Sequence, residues 1–352
     1  MKYIIDLRSD TVTKPTKQMF DSIYCIFDDL GDDVYEEDST VQILQNQVSC
    51  IFNKEAGLFF PSGTMCNLTA LLCWCGRGSE VILGNKSHMF LFEQGGAAQF
   101  GGVAFHTLPN KDDGTIEIHE IENAIRDDDI HECNTSLIAI ENTHNACGGK
   151  ILPKSFLEEL QKLAKNKHLP IHMDGARIWN ALEEMNIAPS QMGDYVDSMS
   201  VCLSKGLGAP VGSLLLGPKT FIQKAKRIRK ALGGGMRQSG ILAAAALTGI
   251  KDFQSGILRK DHEKIKMLAQ ELEEIDGFQP QKVVHTNILF INLSNNYYNE
   301  EKVTMFMKEH HILVSAWSKN LIRVVAHRNI TFEDIQYVIE IFKKLSLIMI
   351  HV

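Results

Sequence analysis

What most limits the folds open to this chain is an alternation, between residues 56 and 217, of short apolar runs with segments of helical periodicity. The runs Ala56-Gly-Leu-Phe-Phe60, Glu80-Val-Ile-Leu83, Val103-Ala-Phe-His-Thr-Leu108, Ser136-Leu-Ile-Ala-Ile-Glu141, Leu169-Pro-Ile-His-Met-Asp174 and Val211-Gly-Ser-Leu-Leu-Leu-Gly217 have the length and apolar content of strands. Between them lie a helix carrying Met65, Leu68, Leu71 and Leu72, another over 117–127, and a third with Pro153 in its first turn and Leu157, Leu160 and Leu163 beyond. Strands alternating with helices predict an α/β fold, an open and mostly parallel sheet with helices on both faces. Ligands of such sheets bind beyond the carboxyl ends of the strands.

Reactive side chains fall at those ends. His88, Asn142-Thr143-His144, Asp174, Arg177 and Lys205 all stand just past predicted strands. Ser200-Met-Ser-Val-Cys-Leu-Ser-Lys-Gly-Leu-Gly208 reads as a buried strand stopped by Ser204-Lys205-Gly206, with another strand close behind. A lysine held there is either one that extends its ammonium into water or an amine that burial turns into a nucleophile. Pro61-Ser62-Gly63-Thr64 joins a strand to a helix and also admits two readings. It is an ordinary capped turn, or an anion site made of free N–H groups, the helix dipole and the Thr64 hydroxyl. The GxxxxGK[ST] phosphate loop is absent.

The flanking regions differ in texture. Gly31-Asp-Asp-Val-Tyr-Glu-Glu-Asp38 is an acidic loop without metal-ligand spacing, and no metal is expected. Ser39-Thr-Val-Gln42 has the form of a capping box for a helix with Val41, Leu44, Val48 and Phe52 on one face. From Gln254 onward come helix 258–275, strand 287–291, helix 300–310, strands 312–316 and 321–325, and a long helix from Thr331. The expected division is an arm over 1–30, a large domain over 31–253 and a small α+β domain over 254–352. Arg323 lies inside an apolar strand, where an unpaired charge is costly. Its partner is a structural carboxylate or the carboxylate of a ligand.

Composition narrows the setting. A net charge of −7 argues against nucleic acid or anionic membrane as partner. The basic run Lys224–Lys230 reads as the solvated face of a helix whose other face carries Phe221, Ala225, Ile228 and Leu232. The eight cysteines lack zinc spacing, no secretory signal precedes them, and a reducing cytoplasmic compartment is expected. No apolar stretch approaches the roughly 18–20 residues of a membrane helix.

An aspartate and a lysine at neighbouring strand ends, beside an anion-binding helix start, suit pyridoxal phosphate. The aldehyde takes the lysine, the phosphate takes the helix, and the ring nitrogen needs a carboxylate to stay protonated. At this point the motifs speak for a family. Asp6-Leu-Arg-Ser-Asp-Thr-Val-Thr13, Gly31-Asp-Asp-Val-Tyr35, Glu141-Asn-Thr-His-Asn145, Asp174-Gly-Ala-Arg177, Leu203-Ser-Lys-Gly-Leu-Gly208 and Gly233-Gly-Gly-Met-Arg-Gln-Ser-Gly240 resemble the low-specificity L-threonine and L-allo-threonine aldolases. These are pyridoxal-phosphate enzymes of the aspartate-aminotransferase fold (fold type I), and the resemblance runs from about residue 6 to residue 327.

The resemblance implies roles. Lys205 would carry the cofactor and Asp174 pair with its ring nitrogen; Gly63 and Thr64 would hold the phosphate, with Arg237 reaching the cofactor of a neighbouring subunit. His88 would stack on the ring near the substrate hydroxyl, with His131 a second histidine there. Ser9, Arg177 and Arg323 would bind the substrate carboxylate. The activity implied is retro-aldol cleavage to glycine and acetaldehyde in a homo-oligomer, a dimer of dimers with shared sites. Two departures stand out: Glu36, where the family commonly has a small residue, and Cys147-Gly-Gly149, which lengthens the loop in the eukaryotic manner. The rival readings are another fold-type-I reaction (β-elimination, transamination or racemisation), a non-catalytic relative serving as a binding scaffold, and a nucleotide-binding oxidoreductase. The last needs a GxGxxG after the first strand, which the chain lacks.

Overall fold

The computed structural model describes residues 3–294 and 299–350. Its strands are β1 (Ile5–Asp6), β2 (Ala56–Phe60), β3 (Glu80–Gly84), β4 (Ala104–Leu108), β5 (Thr135–Glu141), β6 (Ile171–Gly175), β7 (Ser198–Cys202), β8 (Ser213–Gly217), β9 (Phe278–Pro280), β10 (Ile288–Leu293), β11 (Ile312–Leu313), β12 (Ser315–Ser318) and β13 (Leu321–Val325). The helices are α1 (Lys17–Cys25), α2 (Ser39–Ile51), α3 (Gly63–Trp74), α4 (His88–Leu91), α5 (Ile118–Ala124), α6 (Lys154–Lys167), α7 (Ile178–Met185), α8 (Pro189–Asp194), α9 (Lys219–Ala231), α10 (Gly240–Phe253), α11 (Ile257–Leu272), α12 (Glu300–Glu309) and α13 (Phe332–Ile350).

Seven strands form the central sheet in the order β2-β8-β7-β6-β5-β3-β4. All run parallel except β8, which is antiparallel to both of its neighbours. Because β3, β6, β7 and β8 are buried at every position, helices must cover both faces, as the alternation predicts. On α6 the buried Phe156, Leu157, Leu160 and Leu163 recur at helical spacing. Each such leucine contributes roughly 1.5–3 kcal/mol by leaving water. The turn from β7 into β8 closes at Gly212, whose φ of 120° suits glycine and where a Cβ would lie 2.4 Å from the Phe59 ring.

A four-stranded antiparallel sheet, β12-β13-β10-β9, carries the C-terminal region with α11, α12 and α13. The single strand expected over 312–316 is two strands. Ile312–Leu313 pairs in parallel with Ile5–Asp6 of the N-terminal arm, and Ser315–Ser318 turns to pair with β13. Ile5 and Leu7 consequently sit in the same hydrophobic cluster as Ile265, Leu289 and Phe342.

Three local expectations are corrected. Asp38, not Ser39, caps α2 by accepting from Val41 N, since its carboxylate is already fixed by Gly240 N. In the basic run, Arg229 is buried and pairs with Asp33 at 2.9 Å, so that face is not wholly solvated. Glu36 takes a left-handed φ of 63° and pairs with Lys226, which accounts for a small residue being easier at that position.

Candidate active site

Parallel strands deliver their ends to one edge. In register, Glu141 lies beside Asp174, Asp174 beside Ser200, and Cys202 beside Ser213, which in turn neighbours Phe60. The loop after β7 is tied down by Leu203 N to Gly212 O at 3.0 Å and Gly208 N to Lys205 O at 2.9 Å. Lys205 is thereby held at the middle of the edge. Among the described residues its Nζ makes no hydrogen bond or ion pair, and its charge reaches the buried Asp10.

Asp174 is buried and fixed from three directions. Its Oδ1 accepts from Ala176 N at 3.0 Å and from Ser200 Oγ at 3.5 Å, and its Oδ2 accepts from Asn67 Nδ2 at 2.9 Å. Behind it runs a chain whose proton directions are forced. Trp74 Nε1 donates to Ser198 Oγ (2.8 Å), Ser198 pairs with His172 Nδ1 (2.9 Å), and His172 Nε2 with Asn67 Oδ1 (3.3 Å). Since the Asn67 oxygen only accepts, His172 carries its proton on Nε2. Burial pushes the His172 pKa down to about 4, so the ring stays neutral.

His88 opens α4 just past β3. Its backbone N–H donates to Glu141 Oε2 at 2.7 Å, and Glu141 Oε1 accepts from Asn145 N at 2.8 Å. Its ring lies tilted against Phe92 at 5.5 Å, with Nδ1 2.9 Å from Glu93 Oε1. Burial disfavours the charged ring, but the Glu93 hydrogen bond and the charges of Asp174, Glu93 and Glu141 outweigh it and raise the His88 pKa.

At the start of α3, Ser62 caps the helix by accepting from Met65 N at 3.2 Å. The N–H groups of Gly63 and Thr64 precede the first intrahelical acceptors and are free for a ligand. The buried Ser213 Oγ has no partner and lies 3.5 Å from where a Gly63 side chain would begin. An orphaned hydroxyl beside free N–H groups fits a phosphate, so the residues at this edge suit the cofactor that the motifs imply.

Opposite lies a pair of arginines in unlike states. Arg177 grips buried Asp10 through Nε (2.8 Å) and Nη2 (2.7 Å), leaving only Nη1, 3.5 Å from Asn145 Oδ1. Burial opposes the Asp10 charge, yet Arg177, Lys205 and Asn287 bring its pKa down to about 2. Among the described residues Arg323 has no carboxylate partner. Nη1 donates to Asn145 Oδ1 (3.0 Å), Nη2 to Arg8 O (3.0 Å), Nε is buried without a partner, and the group lies 4.6 Å from the Trp317 ring centroid. Burial and the adjacent Arg177 pull its pKa down to about 10. Of the two partners open to it, no structural carboxylate is in contact among the described residues. Ser9 lies next to the Arg8 carbonyl, its hydroxyl accepting from Thr11 N. A cavity of about 610 Å³ lined by Phe92, Trp317, Lys86 and Arg323 opens beside the site.

Two expected residues are not in this cluster. His131 precedes β5 and therefore sits at the opposite edge of the sheet, with 83% of its side chain exposed and Nδ1 on Asp129 at 2.8 Å. Within its own chain it lies at the edge away from His88, Asp174 and Lys205. Arg237, 61% exposed, pairs with Asp32 at 3.0 Å on the surface. Sequence reasoning missed Glu93, Asn67, Asp10 and Asn145. Asp10 and Asn145 stand in the quoted motifs without a role assigned to them, Asn67 is an amide on the apolar face of α3, and Glu93 leaves no trace.

Comparison with known proteins identifies the family. The beta-eliminating lyase family model matches residues 6–295. A probable low-specificity L-threonine aldolase 2 of Arabidopsis thaliana is 42% identical over 97% of this chain and 97% of its own. The low specificity L-threonine aldolase of Escherichia coli K12 is 40% identical over 94% of this chain and 96% of its own. The solved structure of a Leishmania major threonine aldolase superposes with a TM-score of 0.84 at 20% identity, covering 97% of this chain and 99% of that one.

Proposed function

Because the chain belongs to the beta-eliminating lyase family, alongside the low-specificity L-threonine aldolases, we infer that it is a pyridoxal-phosphate-dependent threonine aldolase. It cleaves L-threonine, L-allo-threonine or both to glycine and acetaldehyde. The observation that carries this is the placing of Asp174, Lys205, the free start of α3 and the unpaired Arg323 around one edge. Bound pyridoxal phosphate supplies the protonated ring that takes up the electron pair of the breaking Cα–Cβ bond.

The chain's own residues do the rest. Lys205 holds the aldehyde carbon, Asp174 the ring nitrogen, and Gly63 and Thr64 the phosphate, with Ser213 added from its orphaned hydroxyl. Arg323 takes the substrate carboxylate on its free Nε, which would remove the cost of a buried unpaired cation, with Arg177 Nη1 and Ser9 beside it. His88 Nε2 accepts the β-hydroxyl proton. Arg237 reaches a phosphate across a subunit interface. In support, Phe20, Tyr24, Phe27, Tyr35 and Ile241 leave large apolar side chains exposed in that region.

The finer assignments belong to the same reading. They are a homotetramer built as a dimer of dimers, cytoplasmic residence, a place in threonine catabolism and glycine formation, and the division at residues 30 and 253. The described cysteines are all free, and no single described helix is long and apolar enough to cross a membrane.

The deciding experiment incubates purified protein and pyridoxal phosphate with L-threonine and L-allo-threonine and quantifies products. Equimolar glycine and acetaldehyde are expected. Ammonia with 2-oxobutyrate would replace the reading with β-elimination.

A further inference from the structure

Glu93 lies two residues past α4 with 6% of its side chain exposed, and the reaction as derived so far gives it no task. Its Oε1 accepts from Asn67 Nδ2 at 2.9 Å and lies 2.9 Å from His88 Nδ1. The same Asn67 amide donates to Asp174 Oδ2 at 2.9 Å. One amide therefore joins the carboxylate behind the histidine to the carboxylate assigned to the ring nitrogen, and the chain from Trp74 through His172 fixes that amide's orientation.

Proton placement follows. A carboxylate that already accepts from an amide takes the Nδ1–H of a neutral imidazole, which puts the ring's lone pair on Nε2. Among the described residues Nε2 has no partner. We propose that Glu93 is a positioning residue for His88, fixing the Nδ1–H tautomer, leaving Nε2 as the proton acceptor, and balancing the imidazolium that forms. The inference rests on the aldolase reading and assigns the proton's path within it. The hydroxyl O–H bond breaks, Nε2–H forms, and the oxygen's electron pair closes the acetaldehyde C=O as Cα–Cβ opens. Burial and the nearby Asp174 charge raise the Glu93 pKa against the His88 and Asn67 hydrogen bonds, and the role assigned to it is that of the carboxylate.

The charged groups facing His88 are Glu93 after α4, Glu141 at the end of β5 and Asp174 at the end of β6, with uncharged Asn67 from α3. All three charges act in one direction, but only Glu93 touches the ring. Glu141 binds the His88 backbone instead.

The test uses the holoenzyme as wild type, Glu93→Gln and Glu93→Ala. Histidine Cε1 hydrogen–deuterium exchange followed by mass spectrometry gives the His88 titration midpoint, and kcat and KM for L-threonine are measured across pH. Wild-type His88 should titrate above the ordinary histidine value. Glu93→Gln keeps an acceptor oxygen but not the charge, and should lower that midpoint by about one unit. It should also reduce kcat about 10- to 100-fold while leaving KM nearly unchanged, and carry the acidic limb of the kcat profile to lower pH. Glu93→Ala should lose more kcat than Glu93→Gln. Equal His88 midpoints in wild type and Glu93→Gln, a wild-type midpoint at or below the ordinary value, or a loss confined to KM would overturn the proposal. Absence of acetaldehyde from wild type would instead sink the aldolase reading while leaving the midpoint comparison intact.

Discussion

The two edges of the seven-stranded sheet both centre on buried carboxylates, and they treat their polar atoms in opposite ways. At the amino edge, Glu80 accepts from Arg126 Nε (3.0 Å), Thr135 Oγ1 (2.9 Å) and Cys133 Sγ (3.2 Å), and meets His106 Nδ1 at 3.3 Å. Burial opposes its charge, but those donors win and lower its pKa. At the carboxyl edge, Ser213 Oγ, Arg323 Nε, Thr143 Oγ1 and His144 Nδ1 are buried without partners. Folded proteins leave few such atoms, and each costs about 1–3 kcal/mol unless something arrives to bond it. The satisfied cluster is scaffold. The unsatisfied one is a site.

The contrast can be broken by substitution. Lys205→Ala should reduce threonine cleavage on the order of 10⁴-fold or more and abolish the visible band of bound cofactor; retained steady-state turnover would remove Lys205 from the centre of the site. Arg323→Met should raise KM for L-threonine roughly 10- to 100-fold, because a charged hydrogen bond to the substrate is lost. The same variant should melt close to wild type, since the hydrogen bonds to Asn145 and the Arg8 carbonyl that it loses are set against relief of a buried cation with no carboxylate among the described residues. A normal KM would mean that the carboxylate binds elsewhere. Glu80→Gln makes the reverse case: about 1–3 kcal/mol of stability lost by denaturant titration, with kcat/KM unchanged. Activity falling in proportion to stability there would dissolve the distinction between the edges.

A subtler effect is expected in acid. His172 titrates near 4 in the fold and near 6.5 when unfolded. Below pH 6.5 the unfolded chain therefore binds a proton that the folded one refuses, and stability falls until pH reaches about 4. His172→Gln should flatten that part of a melting-temperature profile, and an unchanged slope would assign the acid sensitivity to other groups.

How far these features could be read beforehand depended on how local their causes are. The sheet was legible because strand burial and helix periodicity are written in consecutive residues. Lys205 and Asp174 were legible because strand ends mark the ligand edge. Arg323 stood out through its own mismatch, a cation in an apolar strand. Glu93 and Asp10 carry no such mark: their partners are meaningful only once 88, 67 and 174, or 177 and 287, have been brought together. His131 marks the limit of a motif, which gives a residue's place in the chain but not which end of a strand it precedes.

The short pairing of β1 with β11 also sets a schedule. Ile5 N donates to His311 O and Leu7 N to Leu313 O, and Asp10 joins Arg177 to Asn287, so this early segment is among the last to find its place. At roughly 5–20 residues per second, a ribosome leaves this arm waiting on the order of 15–60 s for its partner strand to exist.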